Sequence, residues 1–155
     1  MDIGVSACIC SVTTFDCVPS APAIQQNEKI FICLTPSSGV EISNFAITFQ
    51  NGQYSYVPIQ YGTDQWEIVN EVLTDVEENE SALRISAVLV KGLFDANSST
   101  VDVSGNAFLR LSNGKKIQNR MTFSSFELEF EIVGEEEESG GLWSILSNIL
   151  AFFSC

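Results

Sequence analysis

Between residues 101 and 111 the chain alternates. Val101, Val103, Ala107, Leu109 and Leu111 are apolar, while Asp102, Ser104, Asn106 and Arg110 between them are polar. Successive side chains of a strand point to opposite sides of the sheet, so a period of two marks a strand with one face buried and one wet. Further strands read at 3–10, 29–35, 45–49, 54–57, 66–74, 82–90 and 126–133. In the last of these Phe126, Leu128, Phe130 and Ile132 face in, and Glu127, Glu129 and Glu131 face water. Asn51-Gly52 and Asn113-Gly114 each sit between two such runs, the strongest short hairpin signal. After the second, a return strand should place Ile117, Met121 and Phe123 inward. The inward parity then changes before Phe126, so Ser124-Ser125 is expected to mark a bulge or a crossing between sheets. No helical period occurs before residue 141, which excludes βαβ architecture. The expected fold is all-β: an antiparallel β-sandwich, of jelly-roll or immunoglobulin-like topology, with one short C-terminal amphipathic helix.

The chain has 155 residues, 45% of them hydrophobic, enough for one packed domain. Its 20 acidic and 7 basic side chains give a net charge of −13, which argues against nucleic acid, since binding a phosphate backbone needs Lys and Arg to displace counterions. Histidine is absent, so Ser-His-Asp and Cys-His hydrolysis, zincin helices and haem held by an axial imidazole are excluded. Glu127, Glu129 and Glu131 share a face and could suggest paired carboxylates acting on sugars. The outer face of an antiparallel sheet predicts the same spacing without any chemistry. The sequence therefore reads as a non-enzyme with no catalytic residues and no cofactor.

Four of the five cysteines, Cys8, Cys10, Cys17 and Cys33, fall in the first 33 residues, and Cys155 is apart. They can form two disulfides with three pairings, remain reduced in the core, or hold a metal. C-x-C followed by spacings of six and fifteen fits zinc knuckles poorly, because those use C-x₂-C pairs. On a strand Cys8 and Cys10 share a face, so they should take different partners. No signal peptide is visible at Met1-Asp2-Ile3-Gly4, so the protein stays where it is made or the chain begins after a removed leader. Disulfides would favour a secreted, cell-surface or organelle-lumen location. The sequons Asn79-Glu80-Ser81 and Asn97-Ser98-Ser99 read as loops and, in so Ser- and Asn-rich a chain, are expected by chance.

Two ligand readings arise from the loops. Asp75, Glu77, Glu78 and Glu80 supply hard oxygen ligands of the kind calcium uses, but without EF-hand spacing or a turning glycine they read first as a solvated loop. Gly62-Thr63-Asp64 could meet Asp95 or Asp102 in space, although no spacing requires it. Tyr54, Tyr56, Tyr61 and Trp66 gather around one hairpin and could stack on a carbohydrate ring, though aromatics are also ordinary strand formers.

The sandwich is expected to occupy residues 1–134, followed by an acidic flexible linker, 135–141, with four adjacent glutamates before Ser-Gly-Gly. In the segment 142–155, Leu142, Ile145, Leu146, Ile149, Leu150 and Phe153 fall on one helical stripe, with Trp143 and Phe152 adding to the apolar surface. Fourteen residues rise about 21 Å as a helix, short of the roughly 30 Å hydrocarbon core, so the segment does not span a membrane. No basic residue follows Arg120, which disfavours an anionic bilayer. The remaining covers are its own sandwich, a groove on another subunit or a second copy, or a neutral membrane surface.

The order Cys8-x-Cys10, Cys17, Ile32-Cys33-Leu34, Val40-Glu41-Ile42, Gly92-Leu93-Phe94 and Val101-Asp102-Val103-Ser104-Gly105-Asn106-Ala107 resembles a group of small all-β domains of diatoms and related algae. The resemblance spans roughly residues 3–133. Such domains carry further cysteines in mid-chain, whereas this one has none between Cys33 and Cys155. It implies a sandwich that binds or assembles, and it brings no catalytic residue. Together the readings predict a structural or accessory subunit docked into a protein assembly through Leu142, Trp143, Ile145, Leu146, Ile149, Leu150, Phe152 and Phe153. The alternative is a carbohydrate- or calcium-binding module using the loops of the sandwich.

Overall fold

A computed structural model of the chain describes residues 3–19, 23–95, 98–112 and 123–133. The Asn113-Gly114 hairpin, the inward Ile117 and Met121, the glutamate linker and the apolar segment 142–155 lie outside the described residues.

Among the described residues nine strands form in chain order: β1 Val5–Ile9, β2 Lys29–Pro36, β3 Val40–Asn51, β4 Tyr54–Gln60, β5 Glu67–Ile68, β6 Thr74–Asn79, β7 Ala82–Val88, β8 Thr100–Leu111 and β9 Phe123–Glu131. They make a four-stranded sheet, β1-β2-β7-β6, and a five-stranded sheet, β5-β4-β3-β8-β9, with antiparallel neighbours throughout. A parallel bridge joins Ile24 to Ile132 beside β9. This is the strand order of a variable-type immunoglobulin sandwich, not of a jelly roll. Both inner faces feed one core. Ile30, Ile32, Leu34, Leu83, Ile85 and Ala87 come from the first sheet; Phe45, Ile47, Phe49, Ile59, Val101, Val103, Phe126 and Phe130 come from the second. Each large side chain so buried is worth about 1.5–3 kcal/mol.

Inward parity in β3 switches from Val40 and Ile42 to Phe45, Ile47 and Phe49, and the register with β8 shifts between Ile42 and Asn44. The Ser43 hydroxyl donates to the Phe108 carbonyl there (3.1 Å). An extra residue on one strand does this: it moves every later side chain to the other face. The bulge expected at Ser124-Ser125 is absent. β9 pairs with β8 without interruption from Phe108↔Phe123 to Thr100↔Glu131. Parity changes because Phe123 points outward, 58% exposed, instead of into the core as its apolar character predicted.

Two further expectations fail for local reasons. The strand foreseen at 66–74 is reduced to β5, because the Asn70 side chain accepts from the Val72 amide (3.0 Å) and its carbonyl from Leu73 and Thr74, turning the chain from one sheet to the other. A helical turn, α1 Lys91–Phe94, interrupts what read as a helix-free region. Four residues are too few to show a 3.6-residue repeat, yet the turn buries Leu93 and Phe94 under the core.

The Asn51-Gly52 signal marks a real hairpin, with a different division of labour. Asn51 pairs with Tyr54, so Gly52 and Gln53 form the turn, and Gly52 takes φ +62°, open mainly to glycine. Asn51 itself is 1% exposed, and its amide donates to the carbonyls of Leu93 (2.9 Å) and Ser98 (2.8 Å), fastening the far loop to the hairpin. Gly105 serves closeness instead of turning: a Cβ there would run into the Ala46 carbonyl oxygen and the Phe126 ring. Gly105→Ala should therefore destabilise the domain by about 1–3 kcal/mol, seen as a lower urea midpoint at unchanged slope. A midpoint that does not fall would show that the β3–β8–β9 contact is looser than described.

Candidate functional site

The four cysteines of the described residues form two disulfides, Cys8–Cys17 and Cys10–Cys33, with Cα separations of 5.7 and 5.8 Å, so the two strand-mates take different partners. In a variable-type domain the disulfide crosses between sheets. Here β8 carries no cysteine, and Cys33 pairs instead on the outer side of the four-stranded sheet. Cys8, Cys33, Arg84 and Glu77 stand opposite one another across β1, β2, β7 and β6. The loop between Cys10 and Cys17 folds over this row. Arg84, its side chain 11% exposed, holds the loop by donating to the carbonyls of Ser11 (3.2 Å) and Thr14 (2.9 Å), pairs with Glu77, and lies 5.0 Å from the Phe15 ring centre and 5.6 Å from that of Phe31. Sequence reading gave this arginine no role; its place opposite Cys33 appears only once the strands are in register.

The calcium candidates are not gathered. Asp75, Glu77 and Glu78 lie along β6, an edge strand and not the solvated loop expected, where the pleat sends neighbours to opposite faces; Glu80 is in the following turn. Among the described residues no group of three or more Asp, Glu, Cys or His side chains is arranged to hold a metal. Carboxylates on an edge strand have a simpler use, since charge there deters pairing with another chain.

The aromatic quartet also disperses. The Trp66 ring packs 5.1 Å from Phe45, and Tyr56 lies 6.5 Å from Phe49, both against the core. Burial lifts the Tyr56 phenol above its usual value. Tyr54 covers Gly92, and Tyr61 stands on the outer face of the five-stranded sheet.

That outer face carries the most distinctive surface. Tyr61 packs 5.1 Å from Phe108, and Phe108 lies 6.1 Å from Phe123, giving an aromatic ladder across β8 and β9. Beside it Ala46, Thr48, Ser104, Asn106, Ser125 and Glu127 line an open groove of about 480 Å³. Ser125 donates to the Asn106 side-chain oxygen (2.7 Å), and the Tyr61 hydroxyl to the Asn106 carbonyl (3.4 Å), so its polar floor is largely satisfied internally. Farther along, Asp102, Glu127, Glu129 and Glu131 are exposed, as their alternation predicted. The ladder was missed although a signal existed. Phe108 occupies a polar-parity position between Ala107 and Leu109, and Phe123 breaks parity in β9.

No protein-family profile and no curated protein matches this sequence. Among solved structures, murine CRIg is similar, with a TM-score of 0.44 at 11% identity, over 74% of this chain and 93% of that one.

Arg84→Ala should lower stability by about 2 kcal/mol, since two carbonyls lose a charged donor, and should speed reduction of Cys8–Cys17 by dithiothreitol. Arg84→Lys should rescue only part of this, because one guanidinium nitrogen serves both carbonyls while the other pairs with Glu77 and the plane lies over Phe15 and Phe31, whereas an ammonium has one nitrogen and no plane to stack. Reduction at the wild-type rate in both variants would remove Arg84 as the clamp.

Proposed function

We propose that this chain is a non-enzymatic accessory subunit, a disulfide-pinned sandwich held in a larger protein assembly by apolar surface. The observation that carries the reading is the aromatic ladder. Phe123 leaves 58% of its surface exposed and Tyr61 41%, on the widest sheet of the molecule. Exposed aromatics clustered on one face are the material of interface anchors. In this reading the segment 142–155, with eight large apolar side chains from Leu142 to Phe153, is the main anchor, and the aromatic ladder is the second contact.

Light scattering tests the reading on the full chain, on residues 1–138 and on Phe123→Glu. Full-length protein should associate and 1–138 should be monomeric, with Phe123→Glu weakening association about tenfold, or 1.4 kcal/mol. Monomeric full-length protein whose residues 142–155 are protected from hydrogen exchange would exclude intermolecular docking.

A second reading is favoured by the groove beside Tyr61, whose volume falls within the range of small-ligand sites. An aromatic wall over Ser, Thr and Asn side chains suits a carbohydrate. Calorimetric titration with a glycan panel should then give heat that Tyr61→Ala abolishes, and absence of heat across the panel would end it.

A further inference from the structure

We infer that Asn79 is an acceptor for N-linked glycosylation, carrying an oligosaccharide on the open edge of the four-stranded sheet. The sequon Asn79-Glu80-Ser81 is by itself a common coincidence. Its place in the fold is what separates it from chance. Asn79 ends β6 and pairs with Ala82 across a two-residue turn in which Glu80 adopts φ +58°. Among the described residues β6 is the outermost strand of its sheet, and both Asn79 and Glu80 are exposed. A glycan attached while the chain is still unfolded would leave every ladder of the finished sandwich intact.

The acceptor groups are also unused by the fold. Neither the Asn79 side chain nor the Ser81 hydroxyl makes a hydrogen bond to another described residue. Other asparagines differ. Asn51 is buried with its amide committed to Leu93 and Ser98, and Asn44 exchanges hydrogen bonds with Gly62. The two disulfides supply the matching compartment, since such bonds persist where the secretory machinery works. A glycan would also add bulk to an edge that is otherwise guarded only by Asp75, Glu77 and Glu78.

The reaction requires a lipid-pyrophosphate-linked oligosaccharide and its transferase. The Asn79 side-chain nitrogen bonds to the anomeric carbon of the first sugar. The bond from that carbon to the pyrophosphate oxygen breaks, the lipid pyrophosphate leaves with the electron pair, and the amide proton passes to a base on the transferase.

The test is secretion of the full chain from eukaryotic cells behind a heterologous leader, with intact mass and peptide mapping before and after peptide-N-glycosidase. Glycan mass should map to the Asn79 peptide, and the enzyme should leave Asp at position 79. Asn79→Gln and Ser81→Ala should each lose that glycan, Ser81→Thr should keep it, and Asn97→Gln should leave it unchanged. A secreted, disulfide-bonded protein with an unmodified Asn79 overturns the inference, as does retention in the cell without either disulfide.

Discussion

The pairing of β3 with β8 is the interaction on which the rest of the structure depends. Two twelve-residue strands run side by side from Val40↔Leu111 to Gln50↔Asp102, and β4 and β9 attach to their free edges. Their inward side chains, among them Phe45, Ile47, Phe49, Val101, Val103 and Ala107, form one wall of the core. The bulge at Ser43 keeps both ends of β3 facing that core. Because the pleat fixes both faces at once, the register that buries Ala107 and Leu109 also puts Phe108 outside, opposite Phe123. The exposed ladder is thus a by-product of the core's geometry that its residue types turn into a surface.

The four-stranded sheet solves a different problem. Its inner face needs no covalent help, since Ile30, Ile32, Leu34 and Ile85 pack against the facing sheet. Its outer face carries the two disulfides, which fix the ends of the loop from Cys10 to Cys17 that Arg84 also holds. In the chain-entropy account, closing loops of these lengths contributes about 3 kcal/mol each. Arg84 adds direction to that closure by fixing where the loop carbonyls lie. The molecule therefore has one face rigidified by cross-links and one left open with aromatic side chains.

Much of the architecture was legible from alternation alone, because β8 and β9 follow the period of two over long stretches. Phe126, Phe130, Val101 and Val103 are buried, and Glu127, Glu129 and Glu131 are exposed, as the pattern requires. The separate partners of Cys8 and Cys10 followed from the same rule. What sequence could not supply was pairing between distant strands. Without it Phe123 read as core, Arg84 had no neighbours, and the acidic run at 75–80 read as a loop instead of an edge strand. Trp66 and Tyr56 looked like binding aromatics because alternation alone does not show that Phe45 and Phe49, on β3 of the same sheet, draw them against the core.

Hydroxyl-radical footprinting of aromatic side chains, on full-length protein and on residues 1–138, tests the central claim that the outer aromatic face is a contact surface. Tyr61, Phe108 and Phe123 should be labelled several-fold more slowly in the full-length associated form, while Phe15 and Phe31 beside Arg84 react equally in both. Equal labelling of Tyr61, Phe108 and Phe123 in the two proteins would contradict it.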